Sequence, residues 1–160
     1  MTLTRSQRRN LDKLATYLEG LPEDYQHFDM LSWLRSCGDD AAVIAYVRKN
    51  GGVDKCGTAA CAVGHGPAAG VLFRTDDLFC GDPDWPAYCR RFVPSRRSSE
   101  FYWAFGSAWK YYDNHHWGAA ARVRFLLKHG KPPKWFGEDA GGEWLDAYRE
   151  FDKRHAPVSA

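Results

Sequence analysis

The chain of 160 residues has no long hydrophobic stretch and no apolar segment at its start. Its longest run without a charged side chain, Cys56 to Phe73, carries four glycines and Pro67. A membrane-spanning helix needs about 20 mainly apolar residues, so neither a span nor a secretory leader is expected. Methionine is scarce, at two residues, and no two cysteines are spaced as CxxC. Five cysteines (Cys37, Cys56, Cys61, Cys80, Cys89) cannot all pair. In a reducing compartment they remain thiols, and a free thiol is first a small core residue. These absences place the chain among soluble cytoplasmic proteins. Its length suits one domain of the usual size, about 100–150 residues, which hides enough surface to fold without cross-links or metal.

What is abundant is aromatic: seven Trp, eight Tyr and nine Phe. Hydrophobic residues make up 44% and charged residues 26%, a composition that excludes a wholly disordered chain. The net charge of +2 is unevenly spread. Residues 86–135 hold ten Lys and Arg against Glu100 and Asp113, leaving the remainder acidic. Such polarity can attract an anionic partner to one face.

The local patterns are helical. Thr4 with Gln7 three residues on has the spacing of a capping box. Leu11, Leu14, Ala15 and Leu18 then form one apolar stripe, with Arg5, Arg8 and Arg9 outward. Gly20 and Pro22 end this helix, the glycine in a left-handed stop. A second helix is expected over Ala41–Lys49. Thr58 caps a third, running to Ala69 and built almost wholly of small residues, whose use is close packing at the centre. Asp82–Pro86 forms a turn into a short helix through Tyr88 to Phe92. Ser98 or Ser99 caps Glu100–Phe105, and Asp113 or Asn114 starts the longest helix, His115–His129, stopped by Gly130. A last helix covers Gly142–Lys153. Val71–Phe73 is the only strand candidate. The expectation is a mainly α, single compact domain over 1–160, with five to seven short helices around the central small-residue helix Thr58–Ala69. Residues 34–55 read as an insertion and 155–160 as a disordered tail.

Three segments are distinctive: Phe28-Asp29-Met30, then Cys56-Gly57-Thr58-Ala59-Ala60-Cys61-Ala62-Val63-Gly64-His65, and finally Asp113-Asn114 shortly before Gly118-Ala119-Ala120-Ala121-Arg122-Val123-Arg124. Together they resemble a loose group of small uncharacterised phage and prophage proteins with an "FDM…CGTxxCxxGH…AAARIR" pattern. The resemblance touches about a third of the residues. It implies a viral origin and action in the host cytoplasm, without implying a mechanism.

The cysteine segment admits three chemistries. With Thr58 as cap, Cys61 lies in the first helical turn, where the helix dipole favours a thiolate. His65 is four residues on along the same face. That pairing is how a small Cys/His-dependent hydrolase or transferase would arm its nucleophile. Cys56, Cys61 and His65 could instead form part of a structural zinc site, although a spacing of four between cysteines suits a helix better than a zinc knuckle. The third reading makes Cys61 a buried core residue.

Residues 101–117 contain eight aromatics. Rings beside Arg and Lys suit a stacking platform for bases or a protein interface; the alternative is a tryptophan-rich core. The contact residues expected from this region are Arg90, Arg91, Arg96, Arg97, Trp103, Trp109, Arg122 and Arg124. The functional expectation is therefore a non-catalytic, phage-encoded counter-defence protein, such as a CRISPR inhibitor. Its basic and aromatic face would engage a host protein, a nucleic acid or a nucleotide signal, with no membrane and no cofactor.

Overall fold

Thr4 and Gln7 satisfy each other's backbone amides and open helix α1, Arg5–Glu19, as a full capping box. The Leu11, Leu14, Ala15 and Leu18 stripe is completely buried, and each leucine so placed contributes about 1.5–3 kcal/mol. Structure is described for residues 3–30, 61–80 and 82–130 in this computed structural model. The expected helices at 41–49 and 142–153, the Thr58 cap, the 34–55 insertion, the 155–160 tail, Cys37 and Cys56 all lie outside those residues.

The described part is mainly helical. After α1 come α2 (Trp85–Tyr88), α3 (Ser99–Phe105) and α4 (His116–His129), with 3-10 turns at Thr75–Asp77, Cys89–Arg91 and Ser107–Tyr111. Strands β1 (Leu78–Phe79) and β2 (Asp82–Pro83) pair antiparallel, Leu78 opposite Pro83. The Asp84 side chain accepts from the Ala87 amide to start α2, and Ser98 accepts from Phe101 to start α3. Gly130 stops α4 at φ +77°, where glycine has no steric penalty. Among the described residues no helix is long and apolar enough to cross a membrane.

Helices α1 and α4 pack along each other antiparallel. Arg8 near the start of α1 donates to the Leu127 carbonyl near the end of α4. At the opposite end His116, the first residue of α4, has Nδ1 at 2.8 Å from Leu18 O and Nε2 at 2.9 Å from Pro22 O. The buried residues of α4 are His116, Gly118, Ala119, Ala120, Arg122, Val123 and Leu126, and the short side chains among them let the two helices approach.

Four local expectations need correcting. Residues 62–70 are a succession of turns, with no α-helix. His65 N–H reaches Cys61 O and Ala69 N–H reaches His65 O, but Gly64 and Gly66 favour the unfolded chain and Pro67 has no amide to continue a ladder. The central small-residue helix is α4. Gly20 ends α1 in right-handed geometry, φ −83°, since its N–H is already satisfied by carbonyls of the last turn. Val71–Phe73 is not a strand; the short pair is five residues further on, at Leu78. Finally, neither Asp113 nor Asn114 caps α4: the N-cap is His115, without a side-chain cap bond, because both side chains are engaged elsewhere.

Candidate functional site

The three distinctive segments meet in one place. Phe28 packs its ring against His65 (5.6 Å between centroids) and His116 (6.4 Å). The Met30 amide donates to Asn114 Oδ1 at 2.8 Å. His65, fully buried, has Nδ1 at 2.9 Å from Cys61 O and Nε2 at 3.2 Å from the Tyr25 hydroxyl. A carbonyl only accepts, so Nδ1 carries the proton, and Nε2 accepts from Tyr25. The signature residues thus form a buried junction of rings and hydrogen bonds between the chain after α1, the 61–70 turns and the start of α4.

That junction does not arm a nucleophile. Both His65 nitrogens are turned to Cys61 O and Tyr25 in place of a thiol. Desolvation by burial pushes the Cys61 thiol up to about 11, against smaller lowering by backbone hydrogen bonds from Gly64 and Val63. A thiol at that value is protonated at neutral pH, the opposite of what a cysteine nucleophile requires. The same engagement withholds His65 from an ion. Among the described residues no group of three or more His, Cys, Asp and Glu is placed to hold a metal, and Cys56 lies outside them.

The expected contact face divides. Trp103, Trp109 and Arg122 are interior. Trp103 Nε1 donates to Arg122 O at 3.0 Å, and Trp109 Nε1 to Tyr102 O at 3.1 Å. Arg122 lies over the Trp109 ring, 4.0 Å from its centroid, and donates Nη1 to Asp113 Oδ2 at 2.5 Å. The Asp113 carboxylate rests where a Cβ on Gly118 would be. These residues are therefore structural: the indoles supply apolar volume and the guanidinium a buried ion pair, which needs its partner once desolvated.

Arg124 is partly exposed and the Arg91 side chain nearly buried, and both are neutralised. Arg124 donates to Asp12, Thr16 and Glu19 across the α1–α4 seam, and the Glu19 hydrogen bond, followed by Asp12, holds its pKa further up. Arg91 donates Nε to Asp77 Oδ2 at 2.6 Å, an oxygen that also accepts from the Arg74 amide.

Arg90, Arg96 and Arg97 are exposed and, among the described residues, have no ion pair. Two side chains of α1 reach this segment. Gln7 Nε2 donates to Arg90 O at 3.1 Å, and Asn10 Nδ2 to Arg91 O at 2.9 Å. The face of α1 that carries Gln7 and Asn10 thus lies against the Cys89–Arg91 turn, while Arg5 and Arg9, each two residues from Gln7 and so about 200° around the axis, are exposed on the opposite face. Lys128 and His129, at the α4 end that Arg8 touches, are exposed at the same end of the helix pair.

Exposed rings occur in two places, and one is Phe79, on β1 two residues from the Asp77 that pairs with Arg91. Tyr111, Tyr112 and Trp117 are exposed, with the Trp117 indole stacked on His115 at 4.3 Å. They flank the start of α4, beside Leu18 and Pro22. Arg5 and Leu18 are separated along α1 by about 20 Å at the rise of an α-helix. Arg5 and Trp117 therefore belong to opposite ends of the α1–α4 pair, while Lys110 is exposed beside Tyr111. The outward Arg5, Arg8 and Arg9 were legible in the sequence, whereas the contact of α1 with the 89–91 turn joins residues more than 80 apart. Against known proteins, the chain matches no family model, no curated protein and no solved structure.

Proposed function

We propose that this protein is a non-catalytic binding protein of phage or prophage origin that acts in the host cytoplasm as an antagonist of host defence, engaging an anionic partner. Residues 1–160 act in this reading as one compact domain. The observation that carries it is the set of exposed arginines Arg5, Arg9, Arg90, Arg96 and Arg97, which have no ion pair among the described residues, while the acids of α1, Asp12 and Glu19, are committed to Arg124. Uncompensated surface cations on a chain of near-neutral total charge attract anions. Catalysis at Cys61 has no support from the geometry, since its thiol is sealed and protonated.

The test is phage challenge of a host that carries a nucleic-acid-targeting immune system and expresses the protein. The native chain restores plaque formation, and the Arg5→Glu, Arg9→Glu, Arg90→Glu variant loses that effect at equal abundance. Protection by the variant equal to that of the native chain refutes the role of these arginines.

A further inference from the structure

We infer that His116 is held as an imidazolium cation and works as a proton-dependent clasp between the end of α1 and the start of α4. This device is internal to the fold and independent of any partner.

Only the cation satisfies both ring nitrogens. Nδ1 lies 2.8 Å from Leu18 O and Nε2 2.9 Å from Pro22 O, the separations of N–H···O hydrogen bonds. A carbonyl oxygen only accepts, and a neutral imidazole has a single N–H. The neutral ring would press one nitrogen lone pair against a carbonyl oxygen, whereas the imidazolium donates to both. His65 supplies the contrast within the same junction: it faces one carbonyl and one hydroxyl and is satisfied without charge. His116 is buried, so little water is at hand to relieve a mismatch.

Burial alone disfavours the cation, and the surroundings decide the balance. Leu18 O is one of the last four carbonyls of α1, a helix end that favours positive charge, while the start of α4 disfavours it. The acidic residues on the elements packed around the ring are Glu19, bound to Arg124, Glu23 and Asp24 after Pro22, Asp29 between Phe28 and Met30, and Asp113, paired with Arg122. The other ionisable groups there are Tyr25 and His65, joined to each other, and His115, stacked on Trp117. None of the described carboxylates forms an ion pair with His116, so the two carbonyls hold the proton. Both also accept backbone amides, Leu18 O from Leu21 at 3.3 Å and Pro22 O from Tyr25 at 3.1 Å. The clasp thus fastens to α4 the turn that leads from α1 to Phe28-Asp29-Met30. Deprotonation breaks one of its two joints and loosens that turn.

The experiment is long-range proton–nitrogen NMR of the native chain between about pH 5 and 9, with His116 assigned through its contacts to the Tyr25 and Phe28 rings. At pH 7.5, about one unit above the ordinary imidazole value of about 6.5, His116 still carries two N–H groups and His65 one. A proton bound preferentially by the folded state adds stability that is fully present below that ordinary value and is withdrawn as pH rises. The unfolding constant from urea titrations therefore grows by up to about tenfold per pH unit above it. In His116→Gln that rise disappears. The buried neutral His65 acts with the opposite sign and cannot mimic it. A single N–H on His116 at pH 7.5, or the same rise in the native chain and the variant, overturns the inference. The first of these is read on the native chain alone, so it decides even where the variant does not fold.

Discussion

Gly118→Ala opposes two effects of different size. Alanine is the better helix former, and exchange in the first turn of α4 favours the folded state by at most about 1 kcal/mol. The added Cβ, however, would occupy the space of the Asp113 carboxylate, which is within 2.5 Å of Arg122 Nη1. Making room for a methyl group displaces that carboxylate from a fully buried guanidinium. Removing one partner of a buried pair costs about 3–5 kcal/mol, and the Trp109 ring over Arg122 places this case at the lower end. The net expectation is a loss of about 2–3 kcal/mol, read as a lower urea midpoint at unchanged slope. Asp113→Ala supplies the control: in that background the obstacle is gone, and Gly118→Ala becomes neutral or stabilising, a non-additivity of at least 2 kcal/mol or so. A native-background Gly118→Ala that gains stability would refute the packing argument.

Iodoacetamide at pH 7.5 labels exposed Cys80, while Cys61 and Cys89, buried and pushed up by that burial, stay unmodified in the native protein; peptide mapping that finds Cys61 alkylated as fast as Cys80 contradicts the site geometry. Because a thiol with a raised folded pKa keeps its proton in the folded state longer than in the unfolded one, its contribution is present below the ordinary value of 9.0 and is lost as pH rises toward about 11. Urea midpoints are therefore expected to fall across that window, and to fall less in Cys61→Ala. Tyr25→Phe keeps the ring but removes the hydroxyl that reaches His65 Nε2, for a loss of about 1 kcal/mol; an unchanged melting temperature would show that the bond contributes nothing. Cys80 has φ +50° between the paired Phe79 and Asp82, a conformation costing a non-glycine residue about 1–2 kcal/mol. Cys80→Gly is expected to raise the melting temperature, and a decrease would contradict the left-handed assignment.

Local signals were the legible ones. The Thr4/Gln7 box, the α1 leucine stripe, Ser98 and Gly130 act through neighbours within a few residues, and each element they delimit is found within a residue or two of its expected bounds. The 62–70 segment was misread because small apolar residues suit a helix in composition, while Gly64, Gly66 and Pro67 withdraw the backbone order a helix needs. The contact face was misassigned for a geometric reason already contained in the sequence. Arg122 and Arg124 are two residues apart on a helix, hence about 200° around its axis, and cannot share a face; one is interior, the other bridges to α1. What no local pattern carries is which face is covered. The partners of Arg124 are 105–112 residues away, and the burial of Trp103 depends on α4.

Much of the scaffold is fastened to main-chain oxygens. Gln7, Asn10, Tyr88, Trp103 and both His116 nitrogens reach the carbonyls of Arg90, Arg91, Val71, Arg122, Leu18 and Pro22. Every residue has such an oxygen, so at the accepting positions the architecture asks little of side-chain identity. Tolerance to change is therefore one-sided: the donors are held, whereas an acceptor such as Arg90 can vary without loosening its joint. At that position the main chain maintains the framework and the guanidinium is left to selection by whatever the protein meets, so recognition can drift while the framework stands.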